Sequence, residues 1–176
     1  MMKKLSKNFR ALPVVVLCLL AVGGAAAFAQ RQYASRAQAG RPEIKVLLSG
    51  AVERKEGRLA VEKVSSVMPG ETLDWTITSE NEGNAPAHQY KTVGQIPQGT
   101  TFIAGSATAD GTASVTYSID NGKNYSEQPV IEEKQPDGSS KRVAAPASMY
   151  TQVRYEWADA LADGGKLTAS YKVRVK

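Results

Sequence analysis

The chain has 176 residues, 42% of them hydrophobic, a single cysteine and a formal charge of +5. That length suits one ordinary domain. Residues 1–29 hold Lys3, Lys4, Lys7 and Arg10 and no acid, so the remainder carries 18 bases against 17 acids; this excludes the basic footprint of a nucleic-acid binder.

Met1 to Arg10 is a basic head, Leu12 to Val22 an apolar run, and Ala27-Phe28-Ala29 a small-residue A-x-A ending. The three-part layout predicts a signal peptide over 1–29, cleaved between Ala29 and Gln30. The apolar run is short beside the roughly 20 residues of a bilayer-spanning helix, so no membrane span is expected after cleavage. Cys18 lies inside the apolar run behind Leu17, which argues against a lipid-acceptor role, and its loss with the leader leaves no thiol or disulfide. Residues 30–42, with Arg31, Arg36 and Arg41, show no sheet period and read as a flexible linker.

The domain is expected over 43–176 as a series of strands. Ile44 to Leu48 alternates and gives a first strand, Glu53 to Arg58 a charged turn with Gly57, and Leu59 to Val67 a second extended segment of poorer period. Thr72 to Asn81 reads as the central strand, with Leu73, Trp75 and Ile77 on one face and Thr72, Asp74, Thr76 and Thr78 on the other. A turn over Glu82 to Pro86, a weak strand over Ala87 to Val93, a turn over Ile96 to Thr100 and a short strand over Thr101 to Ala104 follow. Val115 to Ile119 alternates into Asn121-Gly122, a strong hairpin signal. Gln128 to Pro146 is a polar excursion with a possible turn at Pro136-Asp137-Gly138. Val153, Tyr155 and Trp157 share the face of a later strand. Leu167, Ala169, Tyr171, Val173 and Val175 point inward from the last one. Seven to nine short strands without helical period predict an all-β fold, an antiparallel immunoglobulin-like sandwich, with a closed barrel as the competing architecture.

No constellation for catalysis emerges, and no catalytic, cofactor or metal residue is assigned. His88 is the sole histidine and reads as an exposed strand-edge residue; zinc needs three or four nitrogen or sulfur ligands. For calcium, Asp74, Glu80 and Glu82, or Asp159 and Asp163, read as solvated carboxylates rather than a clustered oxygen cage. Ser118-x-Asp120-x-Gly122-x-x-Tyr125 has the form of an Asp box, whose carboxylate binds turn N–H groups, and reads as a hairpin staple rather than a carbohydrate signal. Trp75, Tyr117, Tyr155, Trp157 and Tyr171 read as core; Tyr90, Tyr125 and Tyr150 border turns and are the aromatics open to a sugar. Asn124-Tyr125-Ser126 matches a glycosylation sequon by letters alone.

Pro69-Gly70-Glu71-Thr72-Leu73-x-Trp75-Thr76-Ile77-Thr78, Asn81-x-Gly83-Asn84-Ala85-Pro86-Ala87, Ile96-Pro97-x-Gly99-Thr100-Thr101-Phe102 and Gly105-Ser106-Ala107 together resemble the prokaryotic surface-repeat domain of unknown function eleven, the conserved repeat domain. The resemblance spans about Met68 to Lys176. Gly94-Gln95 stand where that family carries Asp-Pro, and one copy stands where it commonly repeats. The resemblance implies an immunoglobulin-like sandwich on secreted or surface-exposed proteins, and no enzyme activity. The expectation is a secreted, non-enzymatic structural or interaction module of the bacterial cell envelope or surface, periplasmic or extracellular, which meets a protein partner. The alternative is a carbohydrate- or ligand-binding accessory domain. With no sorting motif or apolar span in the last strand, it is expected to be soluble or held by its partner.

Overall fold

The structure is a computed structural model, and it describes residues 40–55 and 57–176. The expected leader over 1–29 and the linker up to Ala39 lie outside the described residues. The fold below is that of Arg41–Lys176.

Eleven strands follow one another among the described residues: β1 (Ile44–Arg54), β2 (Gly57–Ala60), β3 (Thr72–Asn81), β4 (Lys91–Gln95), β5 (Thr100–Phe102), β6 (Thr108–Ala109), β7 (Ala113–Ser118), β8 (Val130–Lys134), β9 (Ser140–Ala144), β10 (Gln152–Trp157) and β11 (Lys166–Val175). The expected seven to nine becomes eleven because β6 has only two residues and the polar excursion folds into its own two-stranded hairpin. All pairings are antiparallel. The large sheet runs β2-β1-β3-β11-β5, with β6 also on β11; a smaller sheet runs β4-β10-β7; β8 and β9 pair alone. The fold is all-β and sandwich-like.

Alternation sets the core. From the large sheet, Val52, Leu73, Ile77, Phe102, Ala169, Tyr171 and Val173 are buried; from the small sheet, Val153, Tyr155 and Trp157 meet them. Burial of each such side chain contributes roughly 1.5–3 kcal/mol. The aromatics also place their polar tips: the Tyr155 hydroxyl donates to the Ser170 carbonyl at 2.7 Å, Tyr171 to the Gln95 carbonyl at 2.5 Å, and the Trp157 indole N–H to the Asp110 carbonyl at 2.8 Å. Burial pushes the Tyr171 phenol up to about 12 and Tyr155 higher still. Gly94 is required here, since a Cβ would stand 2.3 Å from the Tyr171 ring.

β3 is central, flanked by β1 and β11. Leu73 and Ile77 are buried as expected, whereas Trp75 is half-buried against Gly50 and Val61, with its indole N–H enclosed and unpaired. Asp74, on the opposite face, is also buried, because Arg58 at 2.7 Å and Lys172 at 3.9 Å neutralise it.

Several expected boundaries move. β1 runs on to Arg54 and β2 begins at Gly57, so Glu53, Arg54, Gly57 and Arg58 of the expected charged turn lie in strands. Leu59 to Val67 is not one strand: β2 ends at Ala60, a 3-10 turn spans Val61–Lys63, and Val61, Val64 and Val67 reach the core at a spacing of three. That spacing is why no two-residue period was visible. Ala87 makes one bridge to Leu161, Gln89 turns the chain at φ 52°, and the strand starts only at Lys91. Asn121 and Gly122 take φ 58° and 85°, but no tight hairpin forms; β7 pairs with β10, and the chain returns to β7 only through a Tyr117–Ser126 bridge. At the start, Arg41 is already tied to the body: its N–H donates to Asn84 Oδ1 at 2.9 Å and its carbonyl accepts the Asn84 N–H at 3.2 Å.

Candidate functional site

Three features invite a functional reading: the loop built on the Asp box, the dispersed carboxylates and aromatics, and one edge of the large sheet.

The loop after β7 is a closed hydrogen-bond system. Buried Ser118 donates to Asp120 at 2.8 Å and accepts the Gly122 N–H at 2.8 Å. The Asp120 carboxylate accepts the Asn124 N–H at 2.9 Å and its side-chain amide at 2.7 Å. Those donors, the Asn124 N–H first, hold the Asp120 carboxyl down at about 2. The Tyr125 hydroxyl bonds the Gln152 side chain, and Arg154 lies 4.0 Å over the Tyr125 ring. Asp120 thus spends its acceptors on its own loop, the geometry of a staple. Beside it, a cavity of about 450 Å³ opens against the β8–β9 hairpin, lined among others by Tyr117, Asp120, Tyr125, Pro129 and Arg142.

The aromatics that sequence left open to a sugar all have a face or a tip engaged. Tyr90 stacks on Trp157 and bonds Ser79, Tyr150 stacks on both Phe102 and Tyr117, which also touch each other, and Tyr125 sits beneath Arg154. Of the five carboxylates weighed for calcium, Asp74 pairs with Arg58 and Glu82 with Lys45, each at 2.7 Å. Among the described residues, no three His, Cys, Asp or Glu side chains gather as a metal site would need. His88 is exposed in a turn. Among the described residues no helix is long and apolar enough to cross a membrane.

The edge is of a different kind. β1 pairs with β3 along Ile44 to Glu53, but β2 covers its other side only over Ala51 to Arg54. Among the described residues, nothing pairs with the far side of Ile44 to Gly50. The phase of the ladder follows from its end. The Glu82 N–H donates to the Glu43 carbonyl at 2.8 Å, so odd-numbered β1 residues are bonded to β3. In an antiparallel pair these alternate with residues whose groups point away. Ile44, Val46, Leu48 and Gly50 therefore aim N–H and C=O outward.

The side chains match this openness. Val46, Leu47 and Leu48 are 52%, 63% and 53% exposed. Leu48 lies opposite buried Ile77 on the inner face, Val46 beside it, and Leu47 on the outer face. Natural sheets blunt such edges with short strands, charge or proline. The opposite edge of this sheet obeys, with β5 of three residues and β6 of two. The β1 edge carries one charge, Lys45, which Glu82 neutralises at 2.7 Å. Sequence reasoning saw the strand and missed the edge; the signal was the unbroken Val46-Leu47-Leu48, since alternation cannot bury three consecutive apolar residues on one face.

Comparison of the chain with protein-family models, curated proteins and solved structures found no match.

Proposed function

We propose that the chain is an exported, non-enzymatic interaction module of the bacterial cell envelope or surface, which works by protein–protein contact at the open side of β1. Its fold is read as an immunoglobulin-like sandwich of the surface-repeat kind, sent out by the leader over 1–29. The observation that carries the reading is the apolar stretch Ile44 to Gly50, unpaired on its far side among the described residues, with outward N–H and C=O groups on every second residue. Strand addition uses such an edge: main-chain bonds give affinity and alternate side chains give selectivity.

The test is retention. Immobilised protein is exposed to the soluble exported fraction of its host, and bound polypeptides are compared across variants. Val46→Pro removes an outward donor without touching the β3 ladder, and Leu48→Lys puts charge on the apolar face; both are expected to lose the bound polypeptide that wild type and His88→Ala retain. Equal retention by all four overturns the reading.

The second reading, a carbohydrate- or ligand-binding domain, has the cavity beside Tyr125 in its favour. A glycan array in which Tyr125→Ala abolishes a wild-type signal would favour it.

A further inference from the structure

The open edge has a definite length and one sealed end, and these restrict what can occupy it. From Ala51 onward β2 holds the edge, with Ala60 directly opposite Ala51. The chain then turns over the inner face, where Val61 reaches within 2.9 Å of the place a Gly50 Cβ would take. A strand that enters beside Ile44 to Gly50 and continues past Gly50 in the plane of the sheet runs into Ala60. At the other end Pro42 has no N–H to offer, and nothing among the described residues stands in the plane beyond Ile44.

A second copy of the chain fails this condition. Antiparallel pairing of two β1 strands centred on Leu47 would set Val46 against Leu48 and Leu47 against Leu47, a good apolar match. It would also set Glu43 of the other copy opposite Ala51, in the space of Ala60. Glu43 cannot swing aside, because its carbonyl accepts the Glu82 N–H at 2.8 Å and its N–H donates to Asn81 at 3.1 Å. Sliding the copies far enough to clear Ala60 centres the pair on Lys45, which sets Leu47 against Glu43 and Leu48 against Pro42 and so loses the apolar match.

Resting on the docking reading above, we infer that the occupant is a free strand end of a different polypeptide: an uncharged, extended segment, apolar at three consecutive positions, which terminates or turns at Gly50. Apolar side chains are needed on both of its faces, because Val46 and Leu48 await contact on one side of the sheet and Leu47 on the other. No acid is needed, because Glu82 already answers Lys45. The segment is short, since the edge offers four outward residues and then closes.

The probe is an acetylated, amidated heptapeptide Ile-Ser-Val-Leu-Leu-Ser-Gly, the Ile44 to Gly50 sequence with serine in place of its lysine, which reproduces the apolar match of β1 with itself, is uncharged and has no residue to collide with Ala60. It is titrated into the full chain, expressed with its own leader and purified as the cell processes it, with sedimentation of the protein alone run in parallel. The inference expects one-to-one binding, amide protection at Val46 and Leu48, affinity weakened roughly tenfold or more, about 1.4 kcal/mol, by Val46→Pro or Leu48→Lys, and a monomer in the absence of peptide. A dimer that Val46→Pro dissolves would put a second copy on the edge and overturn the inference. Absence of peptide binding to wild type overturns it too. If the edge variants still lose the exported polypeptide in the retention experiment, the occupant inference falls alone and the docking reading stands.

Discussion

β1 is two strands in one. Its stretch from Ala51 to Glu53 is paired on both sides and contributes Val52, fully buried; among the described residues its stretch from Ile44 to Gly50 is paired on one side and leaves Val46 and Leu48 more than half exposed on the same inner face. Local sequence does not foretell which is covered, since the covered half, Ala51-Val52-Glu53-Arg54, is the more polar and the open half holds Val46-Leu47-Leu48. The difference lies in what β2 and the small sheet cover. A strand's pattern specifies which face an apolar side chain takes; whether that face is roofed depends on strands that arrive from far along the chain.

The sharpest way to break this comparison is across one cross-strand pair. Ile77 and Leu48 stand opposite each other, 2% and 53% exposed. Ile77→Ala is expected to cost about 2–5 kcal/mol in urea unfolding, and Leu48→Ala to stay within about 0.5 kcal/mol. Equal costs would mean that the inner face is roofed as far as Leu48.

Next come three changes that separate a closed site from an open one. Gly94→Ala forces a methyl into the Tyr171 ring and is expected to destabilise by about 1–3 kcal/mol. Within β1, Leu47→Pro removes an N–H bonded to β3 and is expected to cost about 1–3 kcal/mol, whereas Val46→Pro, one residue earlier, faces open solvent and costs less. If Val46→Pro unfolds the protein and Leu47→Pro does not, the ladder phase is inverted.

The smallest expected effect is a pH dependence confined to the Asp-box loop. The Asp120 carboxyl is held at about 2 by the Asn124 and Ser118 donors, below the ordinary value of about 3.9. A carboxyl lowered in the folded state stabilises it fully above the unfolded value, and that contribution is lost as pH falls from about 4 through about 2. The Asn124 amide resonance should move over that window in wild type and not in Asp120→Asn, while Val46 and Leu48, remote from any such carboxyl bond, should keep theirs.

Much of the fold was legible because it follows from alternation. β3, β10 and β11 are clean two-residue patterns, and the turn at Pro136-Asp137-Gly138 needs only local chemistry, with Gly138 at φ 85°. The staple at Ser118 and Asp120 was legible for the same reason: its donors and acceptors lie within seven residues. Val61, Val64 and Val67 were misread as strand, since irregular chain that lays every third residue on a core has no period of two. The Asn121-Gly122 signal was spent on a loop because β7 found its partner in β10, more than thirty residues on. The open edge was hidden for the deepest reason. Being uncovered is a property of the whole sheet, and between Ile44 and Gly50 only the unbroken Val46-Leu47-Leu48 hints at it.

Residue-resolved amide exchange of the free protein, repeated with the heptapeptide present, tests the docking edge most directly. The account predicts an alternating record along β1, with Lys45, Leu47 and Ser49 slow because they are bonded to β3, and Val46, Leu48 and Gly50 fast until the peptide slows them. Uniformly slow exchange before any peptide is added, or fast exchange at Val46 and Leu48 that saturating peptide leaves unchanged, would contradict it.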